Sequence, residues 1–268
     1  MLISSGKWKI FTGDELGSIL AYYSVKNHKG DLKKCALVAS TVSSKMIKGI
    51  AEKYGLRFEE TLTGFKWISN KVIDLEKEGY TVLFSYEEAI GFSIGSVVRD
   101  KDGIIAACYF AQLYAQLCEQ NKTLSDYLEE IYKDVGYYVT KNHYFLCDDP
   151  EKMKAAFDAM RNKGEYYKSC GEFPIKHIRD LTTGYDSMQE NKKAILPISQ
   201  SSHMITYLFE NGAICTMRGS GTEPKLKFYI EYHNVDYKVA QETLVKLHKA
   251  IVDNFLKPLE YGFDFPKA

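Results

Sequence analysis

Between Cys35 and Tyr86, short apolar runs alternate with longer stretches of 3.6-residue apolar period. This alternation restricts the fold more than any other feature. Cys35 to Ala39 reads as a strand. Met46, Ile47, Ile50, Ala51 and Tyr54 then mark one face of a helix, with Ser43 or Ser44 to cap it and Gly55 to end it. Phe58 to Thr61 reads as a short strand, and Thr81 to Tyr86 as a longer one. Between them a helix over Phe65 to Glu78 places Ile68, Val72 and Leu75 on one face and stops at Gly79. Strands separated by helices at this spacing predict an α/β sheet with parallel pairs. A helix precedes the alternation. Thr12 and Glu15 have capping-box spacing, and Leu16, Ile19, Leu20 and Tyr23 follow at helical intervals. The polar run from Lys26 to Lys34 reads as a linker. Further helices are predicted from Asp102-Gly103 through Leu117 and from Thr123 through Ile131.

After Gly136 the pattern changes. Pro150 opens a helix with Met153, Ala156, Phe157 and Met160 on one face. Met204–Phe209 and Ala213–Met217 flank Asn211-Gly212, a hairpin signal that predicts a type I′ turn. Leu226, Phe228 and Ile230 alternate with polar or amphipathic residues, as in a half-buried strand. A last helix carries Val239, Leu244, Leu247, Ile251 and Phe255. Antiparallel strands with flanking helices predict a separate α+β domain, with the boundary near Gly136.

Composition removes several function classes. The 268 residues suit one or two domains, and 45% hydrophobic with 26% charged residues argues against disorder. Lys plus Arg and Asp plus Glu both number 35, so no global field recruits nucleic acid or an anionic membrane. The longest apolar stretch, Ile104 to Ala111, is far short of the roughly 18–20 residues that cross a bilayer. Met1 to Ser5 lacks a secretory-signal pattern. The six cysteines are scattered without a C-x-x-C pair, which predicts reduced, mostly buried thiols in the cytosol. The six histidines show no metal-ligand spacing and read as surface or satisfied core residues. The 20 tyrosines follow no basic stripe that would stack bases.

Four stretches can carry chemistry. Arg218-Gly219-Ser220-Gly221-Thr222-Glu223-Pro224-Lys225 gathers a guanidinium, two hydroxyls, two glycines and a lysine between two strand candidates, a set suited to a phosphate. The plain alternative is a glycine-rich hairpin loop. Tyr86-Glu87-Glu88-Ala89-Ile90-Gly91-Phe92 follows a strand, where carboxylates of an α/β sheet meet ligands and can accept from sugar hydroxyls. Spacing alone favours a helix N-terminus there. Thr61-Leu62-Thr63-Gly64-Phe65-Lys66-Trp67 offers an anion or sugar contact at a helix start, although capping by Thr63 with Trp67 in the core is the preferred reading on spacing. In Gly13-Asp14-Glu15-Leu16-Gly17, compensation of the helix dipole is preferred.

Taken in this order, and with Ser40-Thr41-Val42-Ser43-Ser44-Lys45 and Ile178-Arg179-Asp180-Leu181-Thr182-Thr183-Gly184-Tyr185-Asp186, these stretches resemble the α-D-phosphohexomutase family. Within it they resemble the type 2 phosphoglucomutases, which also act on pentose phosphates. Six motifs in register cover essentially the whole chain.

The resemblance implies three similar α/β domains and a fourth α+β domain. Residues 1–34 would be the end of the second domain, 35–135 the third and 136–268 the fourth. Glu87 would bind sugar hydroxyls, with Thr63, Gly64 and Lys66 lining a neighbouring loop. Arg218, Ser220, Gly221, Thr222 and, more weakly, Lys225 would hold the non-transferred phosphate. Many relatives carry Ser where this chain has Ala89, which removes one hydroxyl contact. Glucose 1-phosphate and ribose or deoxyribose 1-phosphate are the implied substrates, interconverted with 6- or 5-phosphates through a sugar bisphosphate. The family's phosphoserine loop and acidic Mg²⁺ loop find no counterpart in these motifs. The resemblance therefore implies a C-terminal portion that lacks the nucleophile and the metal ligands. Such a portion would be inactive without the N-terminal half, its expected partner. The rival expectation is a half-length sugar-phosphate-binding or regulatory protein without catalysis.

Overall fold

A computed structural model describes residues 2–4, 7–200, 202–221 and 223–266. Two compact units divide after Gly136. Thr222 lies outside the described residues.

The first unit opens with a hairpin of β1 (Leu2–Ser4) and β2 (Lys7–Lys9). Helix α1 (Gly13–Asn27) follows, and its capping box forms as predicted. The Glu15 N–H donates to Thr12 Oγ1 at 3.1 Å, and the Thr12 N–H donates to Glu15 Oε2 at 2.9 Å. Strand β3 (Cys35–Ser40) is buried along its length, as the middle of a covered parallel sheet must be. Helix α2 (Met46–Tyr54) ends on Gly55, whose φ of 75° is the left-handed stop that glycine permits. Next come β4 (Arg57–Thr61), α3 (Phe65–Lys77) and β5 (Thr81–Glu87). Strands β4 and β5 both run parallel to β3. A strand absent from the sequence reading, β6 (Gly91–Ile94), folds back antiparallel on β5 and gives the order β4-β3-β5-β6. Helices α4 (Gly103–Glu119) and α5 (Leu124–Val135) complete the unit. Ile19 and Leu20 of α1 are buried within this unit.

The second unit is an antiparallel sheet with helices. Its elements are β7 (Tyr137–Leu146), α6 (Pro150–Arg161), β8 (Ser169–Cys170), β9 (Phe173–Asp180), β10 (Tyr185–Asp186), β11 (Met204–Phe209), β12 (Ile214–Gly219), β13 (Lys225–Asn234), α7 (Tyr237–Ile251) and α8 (Pro258–Tyr261). The strand order is β10-β9-β11-β12-β13-β7, with β8 on β9. Burial along β11 to β13 has the strand period of two. Ile205, Tyr207 and Phe209, then Cys215 and Met217, then Leu226, Phe228 and Ile230 enter one core with Leu244, Leu247 and Ile251 of α7 and Phe157 and Met160 of α6. The β11–β12 hairpin forms, but its turn is not type I′. Only Gly212 has a positive φ, 87°, and the Gly212 N–H donates to the Phe209 carbonyl, so a three-residue loop closes with glycine in the left-handed position. The parallel-containing and antiparallel sheets fall where the two patterns of the sequence predict them.

One histidine is not a satisfied core residue. His248, in the last turn of α7, lies 5.6 Å from the Phe228 ring and 6.4 Å from the His143 ring, and its Nε2 is buried without a hydrogen-bond partner among the described residues. Burial, then the charges of Lys141 and His143, push its pKa down from 6.5 to about 4. The unfolded chain therefore binds one more proton than the folded one between those values, so stability must fall as pH drops through that window. Urea midpoints between pH 7 and pH 4 should show the wild type losing stability relative to His248→Phe, with parallel curves counting against the assignment.

Candidate functional site

In the first unit the chemistry-bearing stretches meet at the carboxyl ends of the parallel strands, where open α/β sheets bind ligands. Glu87 is the last residue of β5 and pairs with Gly91 of β6. No helix begins there; the carboxylate faces a tight β turn instead. A Cβ on Gly91 would lie 2.7 Å from Phe65 Cε2 and 3.0 Å from Glu87 Cγ, so the turn demands glycine. Ile90 holds φ at 63°, a left-handed conformation that a β-branched residue adopts only under constraint, and the residue is 67% exposed.

The structure brings Glu87 and Gly64 together. The Gly64 N–H donates to Glu87 Oε2 at 3.1 Å. Gly64, not Thr63, is the N-cap of α3; its φ is 102° and no side chain caps the helix. Phe65 is the buried aromatic and Trp67 is half-buried, so the preferred reading of that stretch is corrected at both residues. Thr63 is half-buried. Lys66 is exposed, its ammonium 5.6 Å from the Trp67 ring centre.

Buried polar contacts fix the Glu87 turn. The Glu88 N–H donates to Ser43 Oγ at 3.0 Å, Ser40 Oγ and Ser43 Oγ share a hydrogen bond of 2.7 Å, and Ser40 Oγ donates to Glu88 Oε2 at 3.3 Å. Glu88 is thus turned into the protein. Asp14 does more than balance its own helix: its Oδ1 accepts the Ser44 N–H at 2.8 Å and the Tyr86 hydroxyl at 3.1 Å. Gly13 and Gly17 let α1 lie against this turn, since a Cβ on Gly13 would sit 2.0 Å from the Glu88 carbonyl oxygen and one on Gly17 2.4 Å from Tyr86 Cδ2. Glu60 accepts from Thr41 Oγ1 and Lys45 Nζ, each at 2.7 Å.

In the second unit Arg218 lies near the end of β12, Ser220 and Gly221 follow in the connection, and Lys225 opens β13. The Gly219 N–H donates to the His203 carbonyl at 3.0 Å, and the Ser220 N–H to the Lys225 carbonyl at 2.9 Å. Arg218 Nη2 lies 3.5 Å from the Tyr229 hydroxyl, and its Nε is buried without a hydrogen-bond partner among the described residues. Lys225 Nζ donates to Glu223 Oε1 at 2.6 Å and lies 4.5 Å from the centre of the Tyr144 ring. Lys227 reaches Glu223 Oε2 at 2.9 Å. Hydrogen bonds from Lys225 and then Lys227 hold the Glu223 carboxyl down at about 2, so it is ionised at every physiological pH. The sequence reading missed Lys227 and Tyr229, although they follow Lys225 at i+2 and i+4, the strand period that puts all three on one face.

Among the described residues no three or more His, Cys, Asp or Glu side chains lie close enough to hold a metal ion. Among them, too, no helix is long and apolar enough to cross a membrane. A family model for phosphoglucomutase/phosphomannomutase, alpha/beta/alpha domain III, matches residues 12–135. Human phosphopentomutase is 47% identical over 277 residues, covering 98% of this chain and 45% of its own length. The chain belongs to the phosphoglucomutase/phosphomannomutase family. Human glucose 1,6-bisphosphate synthase is 45% identical, covering 97% of this chain and 44% of its own length. The probable phosphoribomutase of Schizosaccharomyces pombe is 43% identical, with 98% and 46% covered. The chain thus spans less than half the length of these curated relatives. Among solved structures, the parafusin phosphoglucomutase of Paramecium shares the fold, with a TM-score of 0.66 at 17% identity over 97% of this chain and 44% of that one.

The contact of α1 with the β5–β6 turn leaves no room for a side chain at Gly13. Gly13→Ala should lower stability by about 1–3 kcal/mol in urea unfolding, the usual range for forced overpacking. A loss under about 0.5 kcal/mol, the scatter of neutral surface changes, would show that the turn moves aside freely.

Proposed function

We propose that this chain carries the sugar-reading and phosphate-anchoring parts of a phosphomutase that interconverts sugar 1-phosphates with 6- or 5-phosphates through a sugar bisphosphate. The observation that carries this reading is Arg218, whose buried Nε lacks a partner at the head of a glycine-containing loop, in a chain 47% identical to a phosphopentomutase. In this reading the third domain of such an enzyme begins at residue 12, where the family model for domain III begins, rather than at residue 35 as the sequence alone predicts, and the second unit is the fourth. The six cysteines, all unpaired, fit a reducing cytoplasm.

Each residue then has a physical task. Arg218 donates to phosphate oxygens with the planar fork that suits them. The Ser220 hydroxyl, Gly221 and Thr222 complete the anchor. The Ser220 N–H is already committed to the Lys225 carbonyl, so its hydroxyl is the group on offer. Lys225 can leave Glu223 for the phosphate. Glu87, held by the Gly64 N–H, turns its remaining acceptor capacity to sugar hydroxyls, with Thr63 and Lys66 alongside. A magnesium ion would stabilise the transferring phosphoryl charge in the full reaction. The described residues supply no ligand set for it, so the transfer step is not assigned to them.

Titration calorimetry with glucose 1-phosphate and ribose 1-phosphate tests this reading. Arg218→Ala should weaken both by about 10- to 100-fold, the cost of a charge-assisted hydrogen bond. Glu87→Gln should weaken the sugar phosphates and leave inorganic phosphate unchanged. Wild-type affinity in Arg218→Ala would remove the phosphate assignment.

A further inference from the structure

The motif Ile178–Asp186 has no role in the reading above, yet it contains a densely bonded buried charge. Asp180, the last residue of β9, is fully buried. Its carboxylate accepts from Arg161 Nε at 2.7 Å, Arg161 Nη2 at 3.4 Å, the Tyr166 hydroxyl at 3.0 Å, and the backbone N–H groups of Thr182 at 2.9 Å and Thr183 at 3.3 Å. Arg161 also reaches Asp158 at 3.1 Å and approaches His203 Nδ1 at 3.4 Å. A buried ion pair gives little net stability over an apolar replacement of the same shape. What this one does is fix the turn from Leu181 to Gly184.

That turn is bonded to the strand beside the phosphate loop. Thr182 Oγ1 accepts the Met204 N–H at 3.1 Å, and the Leu181 N–H donates to the Met204 carbonyl at 2.9 Å. Met204 stands directly opposite Arg218 in the β11–β12 ladder, and the neighbouring His203 carbonyl accepts the Gly219 N–H at 3.0 Å. The first residues of β11 are therefore clamped between the Asp180 turn on one side and Arg218-Gly219 on the other. Phe157, stacked 4.8 Å from the His203 ring, closes the clamp from α6.

We propose that Asp180 and Thr182 are positioning residues for the phosphate loop, setting the place of Arg218 and Gly219 through Met204 and His203. The proposal rests on the reading of that loop as a phosphate anchor. Neither side chain touches ligand in this scheme, so their removal lowers the affinity for inorganic phosphate and for a sugar phosphate by the same factor.

The test titrates inorganic phosphate and glucose 1-phosphate into folded wild type, Thr182→Val and Thr182→Ser. Thr182→Val should weaken both ligands about five- to tenfold, within the range of couplings between neighbouring residues, and Thr182→Ser should restore them. In an Arg218→Lys background, Thr182→Val should have a smaller effect, leaving only the part carried through Gly219. Should Thr182→Val fail to fold, Tyr166→Phe removes one donor from Asp180 without touching the loop, and should weaken both ligands about two- to threefold. A folded Thr182→Val with a lowered Tm and wild-type affinity would make the network purely structural and overturn the proposal. Absence of phosphate binding by the wild type would instead overturn the anchor reading, and the positioning role with it.

Discussion

The first unit depends on how closely helix α1 approaches the end of β5. Gly13 and Gly17 have no side chains to hold the helix away, and Asp14 converts the resulting contact into hydrogen bonds to Ser44 and Tyr86. A carboxylate so deeply placed would be costly unless its lone pairs were filled. Filling them links three segments that are distant in sequence: the start of α1, the loop after β3 and the end of β5. The Glu87 turn inherits its geometry from that junction. Glu88 is drawn inward by Ser40 and Ser43, and Glu87 is left at the strand end with Gly64 as its neighbour. The strained Ile90 is tolerated because the residues on either side are already held.

The second unit solves a comparable problem with charge. Its sheet buries one alternating set of side chains against α6 and α7, and the loop between β12 and β13 gathers cations at the strand ends. The chemistry here lies in the spacing of Arg218, Lys225, Lys227 and Tyr229 along two neighbouring strands rather than in an unusual backbone. The Asp180 cluster is the counterpart of Asp14 in the first unit: a buried carboxylate whose donors come from several segments and thereby hold them in register.

Local signals were legible in the sequence where the deciding interactions were local. The capping box of Thr12 and Glu15, the glycine stop at Gly55 and the period-two strands of the second unit depend on neighbours within a few residues. Glu87, Gly64 and Arg218 stand out because motifs place them, and the structure brings Gly64 to Glu87. The sequence was silent or misleading where a partner comes from far away. Strand β6 is only four residues long and includes Gly91 and Ser93, and it exists because β5 offers an edge. Asp14 looks like an ordinary helix-start acid until Ser44, 30 residues on, donates to it. Thr63 has the chemistry of an N-cap, yet Gly64 takes that position with a φ only glycine accepts readily. His248 looked inert because the burial that sets its pKa is created by Phe228 and the sheet beneath it.

Glu223 deserves a different description from its neighbours in the loop. Its carboxylate stands between Lys225 and Lys227, so the loop supplies an anion of its own. In the reading proposed above, an incoming phosphate would not meet bare cations; it would have to exchange with this tethered carboxylate. Association of this kind is a substitution, and its net change in paired charge is smaller than the count of lysines suggests. Added salt screens the outgoing and the incoming partner alike. The cations at these strand ends are thus already neutralised in part by a neighbour from the same loop.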